Sequence, residues 1–146
     1  MAATRRADAV WEGELTSGKG TVSGGTGLFK SLPVSWSART EAPGGKTSPE
    51  ELLAAAHASC FSMALSAGLA RGGTPPKKLE VSAAVTFDKV GEGWKVTKSE
   101  ITVRGWVPGT DQAKFKAAAD AAGQGCPIST ALKGNVPITV NATLAS

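Results

Sequence analysis

The sequence predicts an α+β fold in which antiparallel sheets pack on buried central helices. Three observations lead to this prediction: strand-like stretches occur in runs, one long apolar helix lies in the middle of the chain, and a long two-stranded hairpin follows it. The 146 residues have the length of one domain, which we take as residues 1–146. That length is enough to bury a sizeable core without disulfide bonds.

The first part of the chain is predicted to form a small antiparallel sheet. Residues 8–15 alternate weakly between apolar and polar positions, and a short strand at 20–23 lies within a turn-rich stretch. The alternation continues from Val34 through Trp36 to Ala38, which predicts a third strand there.

Several agreeing signals mark the start of a long helix. Ser48 fits the N-cap, Pro49 the first helical position, and Glu51 the capping-box position three residues after the cap. The pattern runs to about Ala70 and is apolar or small on nearly every face, so a buried central helix is predicted.

The second half is predicted to hold a hairpin, two helices and a closing strand. KKLEVSAAVTFDKV and WKVTKSEITVRGW form the hairpin around the turn GEG. An amphipathic helix is predicted at 110–122, and a short helix follows with Cys126 at its N-cap and Pro127 at its first position. VPITVNATL closes the chain as a strand.

Composition and charge argue against several classes of partner. The formal net charge is +4, with the positive residues spread along the chain, so we predict no nucleic-acid binding. We expect no apolar run long enough to span a bilayer, and hence no membrane partner. The start MAATRRAD has charges without an apolar segment behind them, so we expect no secretory signal and a cytoplasmic protein with reduced cysteines.

The two cysteines are the candidates for chemistry. Unpaired backbone N–H groups and the helix dipole would stabilise a Cys126 thiolate, although Cys126 is equally well explained as an ordinary cap in a loop. Cys60, in the middle of the long helix, is either a packed apolar thiol or, beside a cation, a reactive one. His57 is a candidate for that cation, or it is a neutral histidine bonded to a carbonyl.

Other chemical templates fit poorly. A zinc site built on His57, Cys60 and Cys126 would lack a fourth ligand and the usual closely spaced pairs, so we expect no metal. The chain has no GxSxG, Walker A or CxxC motif, and its glycine-rich stretch GKGTVSGGTG reads as turns.

Two stretches resemble the cysteine motifs of the OsmC family, whose members are Cys-dependent peroxidases related to the organic hydroperoxide resistance (Ohr) proteins. They are SPEELLAAAHASCFSMALS at 48–66 and GCPISTALK at 125–133, in the family's order. WEGELTSGKGTVS at 11–23 and GWVPG at 105–109 are also similar to OsmC proteins, so the resemblance covers essentially the whole chain. Ser48 departs from the family's frequent Asn, but both residues are good N-caps.

The resemblance implies an intertwined homodimer and a cofactor-free peroxidase that acts on organic hydroperoxides and hydrogen peroxide under oxidative or osmotic stress. It implies a peroxidatic Cys60 and a resolving Cys126, with Arg39 and Glu50 in the same site. Arg39 would supply the cation that Cys60 lacks, and Glu50 would hold the guanidinium through a bidentate pair. A Cys60 sulfenic acid would condense with Cys126 into a disulfide, which an external dithiol must reduce.

The spacing of Glu50 and Cys60 predicts an active site shared between two chains. Ten residues of straight helix rise by about 15 Å, which is farther than a glutamate side chain reaches. Glu50 and Arg39 are therefore expected to come from the partner chain.

Two rival functions remain open from the sequence. A general thiol–disulfide oxidoreductase would also use two cysteines, although the missing CxxC argues against it. A non-enzymatic dimer that binds a small hydrophobic ligand between its helices would use the cysteines only for packing.

Overall fold

The computed structural model describes residues 1–146 and contains six strands and four helices. Contacts divide the chain into two units, Met1–Leu52 and Leu53–Ser146. The single domain expected from the chain length stays a prediction. In chain order the elements are β1 (Ala7–Glu12), β2 (Lys19–Gly24), β3 (Leu32–Val34), α1 (Trp36–Thr40), α2 (Pro49–Arg71), β4 (Lys78–Val90), β5 (Gly93–Trp106), α3 (Gln112–Gly125), α4 (Pro127–Leu132) and β6 (Ile138–Leu144).

The first unit is built on an antiparallel sheet with the strand order β1-β2-β3. The first two predicted strands are present, but the third ends at Val34, and the prediction of a strand through Trp36 to Ala38 is wrong. Ser35 is the reason, because its Oγ accepts a hydrogen bond from the Ala38 N–H at 3.2 Å and so caps the short helix α1.

Thr47 ties the start of α2 to the sheet of the first unit. Its N–H donates to the Pro33 carbonyl at 3.0 Å, and its hydroxyl donates to Glu51 Oε1 at 2.6 Å. The Glu51 N–H donates to Ser48 Oγ at 3.1 Å, which confirms the predicted N-cap. The Glu51 side chain is engaged by Thr47, so the hydrogen bonds formed here differ from those of a full capping box.

The second unit contains a mixed sheet with the order β4-β5-β6. The predicted hairpin is present as antiparallel β4 and β5, with an irregularity between Thr86 and Phe87. β6 pairs with β5 in parallel, so this sheet is not wholly antiparallel as expected. The parallel pairing follows from the connection, because α3 and α4 carry the chain back before the last strand begins.

One stripe of α2 belongs to the core of the second unit. His57, Phe61, Leu65 and Leu69 recur every fourth residue and are all buried. Apart from Glu50 in the first turn, the residues on the other faces are half-buried or exposed, and Met63 is 68% exposed. A single chain therefore buries less of this helix than its composition predicts. The apolar members of the stripe share one core cluster with buried residues from β5 and α3, among them Ile101, Val103, Phe115 and Ala119.

The length and composition of α2 correct the expectation about apolar runs. With 23 residues, α2 is long and apolar enough to cross a membrane, judged by length and composition only. Only 22% of its most apolar stretch is buried within the chain. The core helices of soluble proteins meet the same criterion, so this one helix is weak evidence for a membrane span.

Helix α3 lies close against β6. A Cβ atom added to Gly123 would fall 2.5 Å from Val140 Cγ2, so only glycine fits this approach. The Gln112 amide extends the contact, since its Nε2 donates to the Ala142 carbonyl at 2.9 Å and its Oε1 accepts from the Leu144 N–H at 2.7 Å. These contacts fix the helix whose C-terminal end leads directly into α4.

Candidate active site

Cys126 stands at the junction of α3 and α4. Its N–H donates to the Ala122 carbonyl at 2.9 Å and so ends α3, while its Sγ accepts from the Ser129 N–H at 3.3 Å and so caps α4. The Sγ also lies 3.0 Å from Ser129 Oγ. The side chain is completely buried. Both sequence predictions for this helix, Cys126 as N-cap and Pro127 at the first position, are confirmed.

Cys60 reaches the same junction from α2. Its thiol lies near enough to the thiol of Cys126 and to the backbone N–H of Ile128, in the first turn of α4, for both groups to shift its pKa. Both cysteines are free thiols, Cys60 half-buried and Cys126 buried. The structure thus brings together the two cysteines that the sequence singled out, 66 positions apart (126 − 60).

The surroundings of Cys60 favour its protonated form. Burial raises the pKa of the Cys60 thiol above its ordinary value, and the neighbouring Cys126 thiol raises it further. The Ile128 N–H acts in the opposite direction by hydrogen bonding to the sulfur, but the net shift is upward. A reactive thiolate at Cys60 therefore needs an additional positive charge.

His57 does not provide that charge. Its Nδ1 lies 2.7 Å from Ser99 Oγ and its Nε2 lies 2.8 Å from Ser129 Oγ, and all three side chains are buried. Burial lowers the pKa of His57, which favours the neutral imidazole. Of the two alternatives left open by the sequence, the neutral histidine is supported, with serine hydroxyls as its partners instead of a carbonyl.

The expected bidentate ion pair is present in the first unit. Arg39 Nε donates to Glu50 Oε1 at 2.8 Å, and Arg39 Nη2 donates to Glu50 Oε2 at 3.1 Å. The Glu50 side chain is only 8% exposed, against 27% for Arg39. The guanidinium also lies over the Trp36 ring, 5.7 Å from its centroid. The glutamate and the indole hold the arginine in one orientation.

The local fold explains how residues eleven positions apart form this pair. Arg39 lies in the last turn of α1, which follows directly from β3, and Glu50 lies in the first turn of α2. Thr47 fixes the start of α2 to β3 through its backbone and its hydroxyl. Both ends of the ion pair are therefore anchored to the same strand.

An apolar pocket of about 320 Å³ opens beside Arg39. Its volume is at the lower end of the range for small-molecule sites. Most of its wall is apolar, and the guanidinium contributes the charge. It is lined by Trp11, Leu15, Val34, Ser35, Arg39 and Pro49.

The predicted site residues thus fall into two groups, Arg39 with Glu50 in the first unit and Cys60 with Cys126 in the second. Glu50 and Cys60 lie ten positions apart on the continuous helix α2. No group of three His, Cys, Asp or Glu side chains that could hold a metal ion occurs in the chain. Sequence reasoning missed Ser99 and Ser129, which become visible only through their bonds to His57.

Residues 42–141 match the family model described as OsmC-like protein. This match covers more than half of the chain and includes both cysteine motifs. The chain belongs to the OsmC-like family. The resemblance inferred from the motifs is thereby confirmed.

Curated relatives of this OsmC-like protein carry the names of two groups. It is 40% identical over 138 residues to Peroxiredoxin OsmC of Escherichia coli (strain K12), which covers 94% of this chain and 96% of the relative. It is 33% identical over 100 residues to the Organic hydroperoxide resistance protein of Xanthomonas axonopodis pv. citri (strain 306), which covers 68% of each chain.

Solved structures confirm the predicted α+β fold class. The organic hydroperoxide resistance protein OhrB of Bacillus subtilis superposes with a TM-score of 0.75 at 24% identity, covering 94% of this chain and 98% of that one. An organic hydroperoxide resistance protein OsmC from Legionella pneumophila superposes with a TM-score of 0.72 at 24% identity, covering 97% and 99%. At this identity the likeness shows the fold alone.

Proposed function

We propose that this OsmC-like protein is a thiol-dependent peroxidase that reduces organic hydroperoxides, and also hydrogen peroxide, in oxidative or osmotic stress. The names of its relatives support a peroxiredoxin-like role in hydroperoxide resistance. The observation that carries the finer proposal is the contact between two free thiols at the start of α4, one half-buried and one fully buried. An accessible thiol is suited to attack a peroxide, and a sheltered one beside it is suited to resolve the product.

In the first step, the Cys60 thiolate attacks one oxygen of the peroxide and breaks the O–O bond. Cys60 becomes a sulfenic acid, and the other oxygen leaves with a proton as an alcohol or as water. The Ile128 N–H already contacts the Cys60 sulfur and stabilises its negative charge before the attack.

In the second step, Cys126 attacks the sulfenic sulfur of Cys60. A disulfide forms and water leaves. An external dithiol then restores both thiols by exchange through a mixed disulfide. The present contact between the thiols means that the second step needs little rearrangement of the backbone.

We assign the Arg39–Glu50 pair to the Cys60 site of a partner chain in a homodimer. Burial raises the pKa of Cys60, so its thiolate requires a cation. The helical rise of about 15 Å between positions 50 and 60 keeps the pair of the same chain from supplying it. Apolar side chains exposed in the single chain, among them Val10, Trp11 and Met63, support burial against a second copy.

The apolar pocket beside Arg39 supports an organic substrate. Its wall offers little to a polar peroxide but matches the alkyl or aryl group of an organic hydroperoxide. The guanidinium at its edge would stabilise the charge that develops on the departing oxygen. We place the enzyme in the cytoplasm, where thiol reductants keep a resting dithiol of this kind reduced.

A single-turnover experiment tests the two cysteine roles. Reduced protein, freed of reductant, receives one equivalent of cumene hydroperoxide, and its intact mass is taken within seconds. Wild type should lose two hydrogens per chain, Cys126→Ser should gain one oxygen, and Cys60→Ser should not change. An unchanged wild-type mass would contradict peroxidase function and favour a non-enzymatic hydrophobic-ligand protein, whereas faster reaction with a disulfide than with the peroxide would favour the oxidoreductase.

Complementation tests the shared site. Arg39→Ala and Cys60→Ser are each expected to abolish most turnover in homodimers. When the two variants are unfolded and refolded together, a mixed dimer combines the Arg39 of one chain with the Cys60 of the other, and activity should return. Mixtures that stay as inactive as their components, while mixed dimers are detected by native mass spectrometry, would contradict the shared site.

A further inference from the structure

A continuous line of hydrogen-bonded side chains leads away from Cys126 into the core of the second unit. From Cys126 Sγ to Ser129 Oγ is 3.0 Å, from Ser129 Oγ to His57 Nε2 is 2.8 Å, and from His57 Nδ1 to Ser99 Oγ is 2.7 Å. All four side chains are at most 1% exposed. Buried polar networks are costly unless satisfied, and nothing in the peroxidase chemistry described so far uses this one.

We propose that Ser129 and His57 form a proton relay that takes the thiol proton of Cys126 when this residue closes the disulfide. The inference rests on the proposed peroxidase function and adds to it the route of one proton. Ser129 contacts the reacting sulfur, and His57 acts through Ser129.

The need for a relay follows from the burial of Cys126. A thiol must lose its proton to become the nucleophile. The Cys126 side chain has no exposed surface, so bulk water cannot collect that proton directly. The Ser129 hydroxyl is within hydrogen-bond distance of the sulfur, and it is in turn bonded to an imidazole.

The relay assigns one order to the protons along the line. The Ser129 N–H donates to Cys126 Sγ, and the relay has the Cys126 S–H donate to Ser129 Oγ, an arrangement that the 3.0 Å distance between the two atoms allows. The Ser129 O–H then donates to His57 Nε2, which must carry the lone pair. The hydrogen of the neutral imidazole is thereby assigned to Nδ1, where it donates to Ser99 Oγ and holds this tautomer.

The step balances within the protein. The Cys126 proton passes to Ser129 Oγ as the Ser129 proton passes to His57 Nε2, and the Cys126 sulfur bonds to the Cys60 sulfur while the S–O bond breaks. The departing hydroxide takes back one proton through Ser129 and leaves as water, which returns His57 to its neutral form. The sulfenic sulfur is reduced and the thiol sulfur is oxidised by the same amount, so no outside oxidant or reductant enters.

The test separates the two steps of a single turnover by rapid acid quench and intact mass. The gain of one oxygen reports the oxidation of Cys60, and the subsequent loss of water reports disulfide closure. Ser129→Ala should oxidise Cys60 at the wild-type rate but close the disulfide about 100-fold more slowly, which is the lower end of the usual contribution of a positioned acid–base group. Closure by the wild type should be slower in D₂O than in H₂O, and Ser129→Ala should lose this difference.

Matched variants distinguish a relay from a structural role. Thr130→Ala removes a neighbouring hydroxyl on α4 that donates only to the Pro127 carbonyl, and it should close at the wild-type rate. Ser129→Thr keeps a hydroxyl and should recover most of the lost rate. His57→Gln interrupts the relay at its far end and should reproduce the slow closure. Thermal unfolding of each variant establishes that it is folded.

Closure by folded Ser129→Ala or His57→Gln at the wild-type rate would overturn the relay. Equal slowing of oxidation and closure would also overturn it, because that result indicates a general distortion of the site. Failure of the proposed function itself looks different, since the wild-type protein would then gain no oxygen in the first step.

Discussion

Arg39 and Glu50 are joined by two hydrogen bonds, with Nε 2.8 Å from Oε1 and Nη2 3.1 Å from Oε2, and the carboxylate is the more deeply buried partner. Glu50 therefore restrains the more exposed Arg39. A bidentate carboxylate fixes the plane of a guanidinium as well as its position, so the main effect of this pair is to orient the arginine.

Glu50→Gln should slow the oxidation of Cys60 about tenfold or more. The amide keeps the shape but loses a charged hydrogen-bond acceptor, a contact that contributes about 1.5–3 kcal/mol. Stopped-flow oxidation by excess cumene hydroperoxide measures the rate. Asp120→Asn, which breaks the exposed Lys116–Asp120 pair on α3, is the control and should leave the rate unchanged. Equal rates in Glu50→Gln and wild type would show that the orientation of Arg39 is unimportant.

Arg39→Ala should raise the apparent pKa of Cys60 further. Burial already raises this pKa. The cation proposed to face the thiolate would lower it, so removal of the cation should let the pKa rise. The measurement is the rate of alkylation by iodoacetamide against pH, in a Cys126→Ser background so that only one thiol reacts. Arg39→Lys keeps the charge, so the apparent pKa of Cys60 in this variant should lie between the values found with Arg39 and with Arg39→Ala. An apparent pKa of Cys60 that is unchanged in Arg39→Ala would indicate that Arg39 acts on the peroxide alone.

The stability of the protein should fall as the pH drops below about 6.5, and His57 should account for part of this loss. The unfolded chain takes up a proton on its histidine near pH 6.5, whereas burial lowers the pKa of His57 in the folded state. Below pH 6.5 the unfolded state therefore binds more protons and is favoured.

Urea unfolding at pH 7 and pH 5 measures this effect. His57→Gln should lose less free energy of unfolding between these values than the wild type. The chain has one histidine, so an NMR titration of its imidazole signals gives the folded-state pKa without an assignment problem. A folded-state pKa at or above 6.5 would contradict the prediction.

Gly123→Ala should destabilise the protein by about 1–3 kcal/mol, the usual cost of overpacking a core. The added Cβ would lie 2.5 Å from Val140 Cγ2, so α3 or β6 must move. Gly125→Ala is the control, because a Cβ there meets nothing within 4 Å and alanine favours the helix. Denaturant unfolding should give Gly123→Ala a clearly lower free energy of unfolding than Gly125→Ala. Equal stabilities would refute the close approach of α3 to β6.

Local signals in the sequence predicted much of this fold. Ser48 and Cys126 are both followed by proline, and both are N-caps in the structure because capping depends on a few neighbouring residues. The alternation from Val34 to Ala38 predicted a strand wrongly, because Ser35 within this stretch caps the short helix α1. The parallel pairing of β6 could not be predicted either, because it depends on how two helices return the chain to the sheet.

The candidate site was predictable only where a motif marks it. Cys60 and Cys126 were found, and their contact was expected from the resemblance. Ser99 and Ser129 were not, because they lie 42 and 72 positions from His57 and no local pattern links them. A lone histidine in an otherwise apolar helix was the one available signal, since a buried imidazole must find hydrogen-bond partners somewhere in the fold.

The Gln112 side chain has a consequence for the behaviour of the protein at high concentration. β6 is an outer strand of its sheet, and outer strands with unpaired backbone groups recruit strands from other molecules. The amide of Gln112 occupies the Ala142 carbonyl and the Leu144 N–H, so these two groups are closed to an incoming strand. The Gln112 side chain of α3 thus blocks strand addition at this part of the β6 edge, where the chain provides no further strand.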